Sequence, residues 1–336
     1  MWLLANREKI DDLPFLLTSV SDSVYRKQEV ELNVVRAVND TINRFNRNPT
    51  RRVFLRSVGM PHKMLTWKMR PMPDFLVVGA AKSGTTSLHH YLRQHPQIFM
   101  TSPKELRYFS ECNYGCGEAW YRSHFPLFRK NGSVVGEGTP SYFAFPKGAQ
   151  NIHQDIPRVK LIAILRDPTK RAISHYFHSK RFNREPLSLK GALATEDIRI
   201  REALEAARKG HVLDHRSPHR MALSAHTYRY GGMYFERIQE YLSWFDRGQL
   251  LVVNSEQLFA QPYEVLEKVY RFLGVDDTHR IANLAPKNVG SNKQDVSQGI
   301  VECLNRYFAV PNQRLFDFLG EDYGWPTPRR LRTISF

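Results

Sequence analysis

Residues 74–92 read Asp-Phe-Leu-Val-Val-Gly-Ala-Ala-Lys-Ser-Gly-Thr-Thr-Ser-Leu-His-His-Tyr-Leu. The apolar run 75–78 is typical of a short strand in a parallel sheet that is covered on both faces. Leu88, Tyr91 and Leu92 then recur at helical spacing. The stretch therefore predicts a buried strand, a glycine-containing turn and a helix start in immediate succession.

The turn between this strand and helix predicts an anion site. Gly79 and Gly84 allow the backbone to approach a ligand closely, and the first N–H groups of a helix have no partner within it. The groups expected to surround the anion are Lys82, Ser83, Gly84, Thr85, Thr86 and Ser87. The alternative is a Gly/Ser/Thr turn with no ligand, as any α/β protein can have.

The order of letters distinguishes this turn from the ordinary P-loop, in which a lysine follows the second glycine and a hydroxyl holds magnesium. Here Lys82 precedes Gly84. The order K-S-G-T-T-S-L after an apolar strand resembles the 5'-phosphosulfate loop of sulfotransferases that use 3'-phosphoadenosine 5'-phosphosulfate (PAPS). The resemblance implies PAPS as the donor, adenosine 3',5'-bisphosphate (PAP) as the product, and no metal requirement.

Composition limits the class of protein. The chain has 336 residues, of which 42% are hydrophobic, enough for one large α/β core or two modest domains. Its formal net charge of +16 indicates anionic partners such as a nucleotide, an acidic polysaccharide, a membrane surface or nucleic acid. Because no RNA-binding, zinc-finger or homeodomain pattern is present, nucleic acid is not expected.

The three cysteines and the apolar segments of the sequence indicate the cellular compartment in which the protein is expected. Cys112 and Cys116 lie in one loop, where two thiols are expected in a reducing compartment and a local disulfide is the alternative. No run of about 18 apolar residues predicts a transmembrane helix, and the first residues lack the pattern of a signal peptide. We therefore expect a soluble, cytoplasmic protein.

A second motif follows in residues 101–110, Thr-Ser-Pro-Lys-Glu-Leu-Arg-Tyr-Phe-Ser. A Lys-Glu followed by an aromatic pair resembles the heparan-sulfate and related bacterial branch of the sulfotransferases. The resemblance implies that Glu105 is the catalytic base and that Lys104 and Arg107 contact the acceptor. Arg107 and Ser110 stand where that pattern commonly has histidine and aspartate. The alternative is an exposed Lys-Glu pair beside aromatic core residues.

Residues 133–136 predict a strand that ends in Glu137-Gly-Thr-Pro-Ser-Tyr142, which resembles a Glu-x-[ST]-Pro-x-Tyr turn of the same branch. Ligands of open parallel sheets bind beyond the carboxyl ends of the strands. Glu137 and Tyr142 are therefore expected to face the acceptor. A strand-to-helix turn without a ligand is the alternative.

Residues 159–165 form the clearest apolar run, which stops at Arg166-Asp-Pro. Asp167 suits a helix cap and Pro168 the first helical position. The segment 165–176 resembles the 3'-phosphate motif of sulfotransferases, in which an arginine and a serine eight residues later bind that phosphate. The resemblance assigns this role to Arg166 and Ser174.

The rest of the chain adds helices and one strand. Periodicity predicts helices over 35–45, near 200–207, over 235–245 and over 266–273, and a strand over 250–254. The loop 286–291 stands where sulfotransferases close over the nucleotide, which implies donor contacts from Lys287, Gly290 and Ser291. The histidines match no zinc spacing.

Together these patterns predict an α/β fold, a P-loop-like and mostly parallel sheet flanked by helices on both faces, with an N-terminal helical arm. We expect an arm and basic linker over 1–72 and a sulfotransferase domain over 73–330. That domain would move a sulfuryl group from PAPS to a hydroxyl or amine of a carbohydrate or small metabolite. An ATP-using P-loop kinase and a non-enzymatic basic glycan-binding protein are the alternatives, and a homodimer is left open.

Overall fold

The computed structural model describes residues 60–110, 113–209, 217–287 and 295–333. The chain divides into two units after Thr66. Of the first unit, the described part holds helix α1 (Met60–Leu65). The helix predicted over 35–45 lies outside the described residues. The second unit, from Trp67 onward, contains the sheet and everything discussed below.

Five strands form one sheet, and every described pair is parallel. The strands are β1 (Phe75–Gly79), β2 (Ile98–Met100), β3 (Val134–Gly138), β4 (Lys160–Leu165) and β5 (Leu250–Asn254), in the order β2-β3-β1-β4-β5. Leu76 pairs with Glu137 on one side and with Leu161 on the other. The predicted parallel sheet is confirmed, and the strand that precedes the glycine turn is its central strand.

Helices connect these strands. In the second unit they are α2 (Thr85–Leu92), α3 (Glu118–Arg122), α4 (Gly148–Asp155), α5 (Pro168–Arg181), α6 (Leu189–Arg208), α7 (Pro218–Ala225), α8 (Tyr234–Leu242), α9 (Ser255–Ala260), α10 (Pro262–Leu273), α11 (Gln298–Leu319) and α12 (Pro328–Thr333). The caps follow the sequence signals. Asp167 accepts hydrogen bonds from the N–H groups of Thr169 and Lys170, and Gly274 ends α10 in the left-handed conformation.

Burial explains why β1 has no charged or polar side chain. Phe75 and Val77 pack in one cluster with Leu88 of α2 and Leu273 of α10. Side chains of a strand alternate between the two faces, yet all five residues of β1 are buried. Both faces of the central strand are therefore covered, as the unbroken apolar run predicts.

The order of the strands places a crevice between β1 and β4. After β1 the chain continues to β2, on one side of the sheet, and after β4 it continues to β5, on the other side. Ligands of open α/β sheets bind beyond the carboxyl ends of the strands where the order reverses in this way. The loop after β1 and the start of α5 after β4 meet at this point.

Candidate active site

A cavity of about 1290 Å³ lies beyond the carboxyl ends of the strands. Its lining includes residues of the segments that follow β1, β3, β4 and β5, together with much of α5. The predicted site residues that line it are Lys82, Gly84, Thr85, Thr86, Glu105, Arg107, Arg166, Ser174 and Lys287. Two motifs that are 84 residues apart in the chain therefore contribute to one groove.

The loop after β1 needs its two glycines for different reasons. Gly84 precedes α2 with φ of 95°, and a Cβ there would lie 3.1 Å from the ring of Phe259. A Cβ on Gly79 would lie 2.4 Å from Cβ of Phe143. Gly84 thus permits a left-handed turn at the cavity, whereas Gly79 is required by packing rather than by the approach of a ligand.

Lys82 lies in this loop with φ of 71°, half-buried at the cavity. Desolvation lowers its pKa to about 8, helped by the charges of Arg181, Arg166 and Arg171 and opposed by Glu105. The ammonium group is therefore held in an excess of positive charge. An anion bound among these side chains would relieve that repulsion.

Arg166 joins the two motifs. Its Nη1 donates a hydrogen bond of 3.4 Å to the backbone carbonyl of Lys82, and both side chains line the cavity. Ser174, two turns along α5, lines the same cavity. A planar, permanently charged guanidinium and a helix hydroxyl that line the same cavity suit a phosphate group.

Glu105 also lines the cavity, and its backbone is in the left-handed region, with φ of 67°. Lys104 Nζ lies 3.0 Å from its Oε1, and Arg107 Nη2 lies 3.0 Å from its Oε2. Burial raises the pKa of Glu105, but the charges and hydrogen bonds of Lys104 and Arg107 outweigh burial and lower it overall. The carboxylate is thus ionised at neutral pH and can accept a proton. Arg107, which stands where the family pattern commonly has histidine, contributes to the lowered pKa of Glu105.

Glu137 and Tyr142 were expected to face the acceptor, and this orientation is wrong. Both side chains are fully buried and neither lines the cavity. Glu137 Oε1 accepts a hydrogen bond from the N–H of Leu106, and the hydroxyl of Tyr142 accepts one from the N–H of Tyr108. Burial raises the pKa of Glu137 to about 7 despite these contacts. On the side away from the cavity, both residues hydrogen-bond to the segment that carries Glu105.

Two serines of the loop also point away from the cavity. Ser83 is fully buried. The hydroxyl of Ser87 accepts a hydrogen bond of 2.9 Å from the N–H of Lys287, and Tyr91 donates one of 2.6 Å to the carbonyl of Leu284. Helix α2 thereby holds the segment that brings Lys287 to the cavity, and Ser87 contacts that segment rather than the cavity.

The sequence reasoning missed Arg171, which lies one turn into α5. It is 1% exposed, lines the cavity and donates hydrogen bonds from Nη2 to the carbonyls of Thr227 and Tyr228. The carboxylate of Glu196 in turn accepts hydrogen bonds from the N–H groups of Arg229 and Tyr230. Helical spacing within α5 was the available signal, since Arg171 lies three positions before the predicted site residue Ser174 and residues three positions apart share one face of a helix.

Other predictions concern parts of the chain that the structure leaves out. Gly290, Ser291 and Cys112 lie outside the described residues. Over the described ranges, no group of His, Cys, Asp and Glu side chains is arranged to hold a metal ion. Within the same ranges no helix combines the length and the apolar character that crossing a membrane requires.

The sequence and the fold were compared with known proteins. A family profile described as sulfotransferase domain matches residues 72–298. Membrane-associated sulfotransferase kil1 of Dictyostelium discoideum is 28% identical over 320 residues, which cover 77% of this chain and 67% of that protein. Human heparan sulfate glucosamine 3-O-sulfotransferase 6 is 30% identical over 278 residues, which cover 76% and 74%. A solved sulfotransferase from Alicyclobacillus acidocaldarius superposes with a TM-score of 0.60 at 29% identity, covering 75% of this chain and 97% of that one.

Proposed function

The chain belongs to the sulfotransferase family, and from this premise we propose that it moves a sulfuryl group from PAPS to a hydroxyl or amine of an acceptor. The observation that carries the proposal is the contact between Arg166 and the Lys82 carbonyl inside one cavity. PAPS is an adenosine with anionic groups at both the 3' and the 5' position. It requires two cationic anchors in one groove, and these two residues supply them.

In this scheme the donor's phosphosulfate lies over the loop after β1, against Lys82, Thr85 and Thr86, all of which line the cavity. The 3'-phosphate lies against Arg166 and Ser174. The first N–H groups of α2 add donors toward the phosphosulfate. The positions of these groups on a strand end and two helix starts keep them rigid before the donor binds, which is what group transfer requires of a protein.

The transfer step is an in-line displacement. The acceptor's oxygen or nitrogen attacks sulfur, the bond between sulfur and the bridging oxygen breaks, and PAP leaves. Glu105 takes the proton that the acceptor gives up, because its carboxylate is ionised and lies at the cavity. Lys82 neutralises the charge that grows on the bridging oxygen. The products are the sulfate ester or sulfamate, PAP and the acceptor's proton, which Glu105 later releases to solvent.

The charge of the cavity supports an acceptor that itself carries negative charge. Beyond the two donor anchors, the cationic lining residues are Arg107, Lys170, Arg171, Lys180, Arg181, Arg184, Arg220 and Lys287, against the carboxylates of Glu105 and Glu256. PAPS cannot contact all of these groups at once. An acidic carbohydrate or a small anionic metabolite would use the remainder.

Calorimetric titration with PAP tests the donor assignment. A sulfotransferase binds PAP without magnesium, an ATP-using kinase binds magnesium-ATP in preference, and a glycan-binding protein binds neither nucleotide. Absent PAP binding would overturn the proposal. Transfer of label from ³⁵S-PAPS into fractionated glycan and metabolite pools then identifies the acceptor class.

Three predictions from the sequence remain proposals of the same kind. Residues 73–330 are proposed as the sulfotransferase domain behind an N-terminal arm over 1–72. A cytoplasmic location is proposed, although one similar protein is described as membrane-associated. Homodimerisation stays open, and sedimentation at several concentrations would decide it.

A further inference from the structure

The turn that carries Glu105 is held by an unusually complete set of hydrogen bonds. Four successive backbone N–H groups, from 105 to 108, each donate to an acceptor in residues 137–142. The acceptors, in order, are the Gly138 carbonyl at 3.2 Å, Glu137 Oε1 at 3.3 Å, Thr139 Oγ1 at 3.1 Å and the Tyr142 hydroxyl at 2.9 Å. Three of these four acceptors are side chains, so they depend on residue identity.

The conformation of the turn shows why it needs such support. Glu105 and Arg107 have φ of 67° and 53°, in the left-handed region that non-glycine residues rarely adopt. This alternation directs the side chains of Glu105 and Arg107 to the cavity, while Leu106 and Tyr108 are buried. Without its acceptors the turn would relax to an extended backbone, and the two cavity side chains would separate.

The acceptors themselves are rigid. Thr139 and Tyr142 are fully buried, and the Thr139 hydroxyl donates to Glu137 Oε1 while it accepts from Arg107. On the opposite side of the turn, the ring of Tyr108 stacks on Tyr121 with centroids 4.3 Å apart and an interplanar angle of 11°. The turn thus packs between the residues that follow β3 and an aromatic cluster formed by Tyr108 and Tyr121.

We propose that Glu137, Thr139 and Tyr142 form a frame that positions the Glu105 carboxylate for proton transfer. None of the three touches the cavity, so they are positioning residues that act through the turn. The inference rests on the proposed function, because it assumes that Glu105 is the base. It differs from a structural role in one respect: loss of an acceptor should impair turnover more than donor binding.

Two substitutions remove one acceptor each with little change of shape. Tyr142→Phe removes the acceptor of the Tyr108 N–H, and Thr139→Val removes the acceptor of the Arg107 N–H. Tyr241→Phe is the matched control, because Tyr241 is also buried and its hydroxyl has no hydrogen-bond partner among the described residues. Thr139→Ser keeps the hydroxyl and should recover most of what Thr139→Val loses.

The measurements are PAP affinity by calorimetry, consumption of ³⁵S-PAPS with water or an acceptor fraction, and amide hydrogen exchange over residues 105–108. We expect Tyr142→Phe and Thr139→Val to keep PAP affinity within about twofold and to lower turnover by about 10- to 100-fold, as small misplacements of a catalytic group do. Exchange over 105–108 should become faster in both variants and stay unchanged in Tyr241→Phe.

The pH profile separates positioning from stability. The charged or titratable groups around Glu105 are Lys104, Arg107, Lys82 and His178. Release of Arg107 from the carboxylate would raise the pKa of Glu105, so the acid limb of turnover should move to higher pH in Thr139→Val. A variant that merely unfolds would lose activity without that shift.

The outcomes distinguish this inference from the proposed function. If the native protein neither binds PAP nor consumes PAPS, the proposed function fails. If the native protein is active and both variants match Tyr241→Phe in turnover, acid limb and exchange, the frame is overturned while the sulfotransferase assignment stands. A variant that loses PAP affinity and turnover equally would also overturn the frame, because it would show general disruption.

Discussion

Proton uptake on donor binding is the property that the site's electrostatics predict most directly. Lys82 is surrounded by arginines, and desolvation together with the charges of Arg181, Arg166 and Arg171 lowers its pKa to about 8. Binding of PAP places phosphate charge beside the ammonium group and should raise that pKa well above its value in the free protein. A proton must then be taken up wherever the free lysine is partly deprotonated.

The magnitude follows from the free pKa. With a pKa of about 8, Lys82 lacks about one tenth of a proton at pH 7, about half at pH 8 and about nine tenths at pH 9. Proton uptake on binding should follow the same values, and PAP affinity should fall about tenfold between pH 7 and pH 9. The phosphates of PAP, with a second pKa near 6, each keep about a tenth of a proton at pH 7 and almost none at pH 8 and pH 9, so Lys82 dominates the uptake at pH 8 and above. His178, with its pKa lowered to about 4, titrates below this window.

Calorimetry in two non-phosphate buffers of different ionisation enthalpy measures this uptake. Lys82→Arg should abolish uptake between pH 7 and pH 9, because a guanidinium stays charged throughout. Lys180→Arg is the control: Lys180 also lines the cavity but is exposed, so uptake should persist. Uptake near zero at pH 9 in the native protein, or equal uptake in Lys82→Arg, would refute the reasoning.

Three further substitutions test other parts of the site. Glu105→Gln should lower turnover by about 10²- to 10⁴-fold and leave PAP affinity intact; an equal loss of both would point to a structural role. Arg166→Lys keeps the positive charge but loses the two parallel N–H donors of the guanidinium, so PAP should bind about 10- to 100-fold more weakly. The affinity for adenosine 5'-phosphosulfate, which lacks the 3'-phosphate, should change little. Burial raises the pKa of Glu137 from 4.5 to about 7, so the folded protein resists ionisation of this carboxyl group. The free energy of unfolding should therefore fall by about 3 kcal/mol in all as the pH rises from about 4.5 through 7. The melting temperature of Glu137→Gln should therefore rise relative to that of the native protein between pH 5 and pH 8. A difference that does not change with pH would contradict the raised pKa of Glu137.

Local sequence patterns were sufficient to predict the sheet and the proximity of Arg166 to Lys82. An apolar run such as 161–165 is short enough to favour a strand over a helix, and Asp167 with Pro168 is a helix-start signal that depends on backbone chemistry alone. The proximity of Arg166 to Lys82 follows because β1 and β4 are neighbours at the point where the strand order reverses. This step needs only the alternation of strands and helices and the resemblance of two motifs.

Side-chain direction could not be predicted in the same way. Glu137 and Tyr142 follow a strand end, where a polar residue can face either a ligand or a neighbouring loop. Which of these occurs depends on the conformation of the turn at 105–108, and its positive φ values have no signature in residues such as glutamate and arginine. Ser87 was misread for a similar reason, since its partner is the backbone of Lys287, 200 positions away.

Helix α5 shows how one element can link the two proposed ends of the donor site. Lys170, Ser174, His178 and Arg181 recur every three or four positions and all line the cavity, so they share one face of the helix. In a sequence this polar stripe is typical of a solvent-facing surface. The 14 residues of α5 span about 21 Å. Its first turn lies beside the proposed 3'-phosphate anchor Arg166, and its last turn carries Arg181, whose charge helps to lower the pKa of Lys82. A single rigid helix would therefore fix the distance between the proposed 3'-phosphate site and the Lys82 loop, where the sulfuryl group is proposed to lie, and an in-line transfer depends on such positioning.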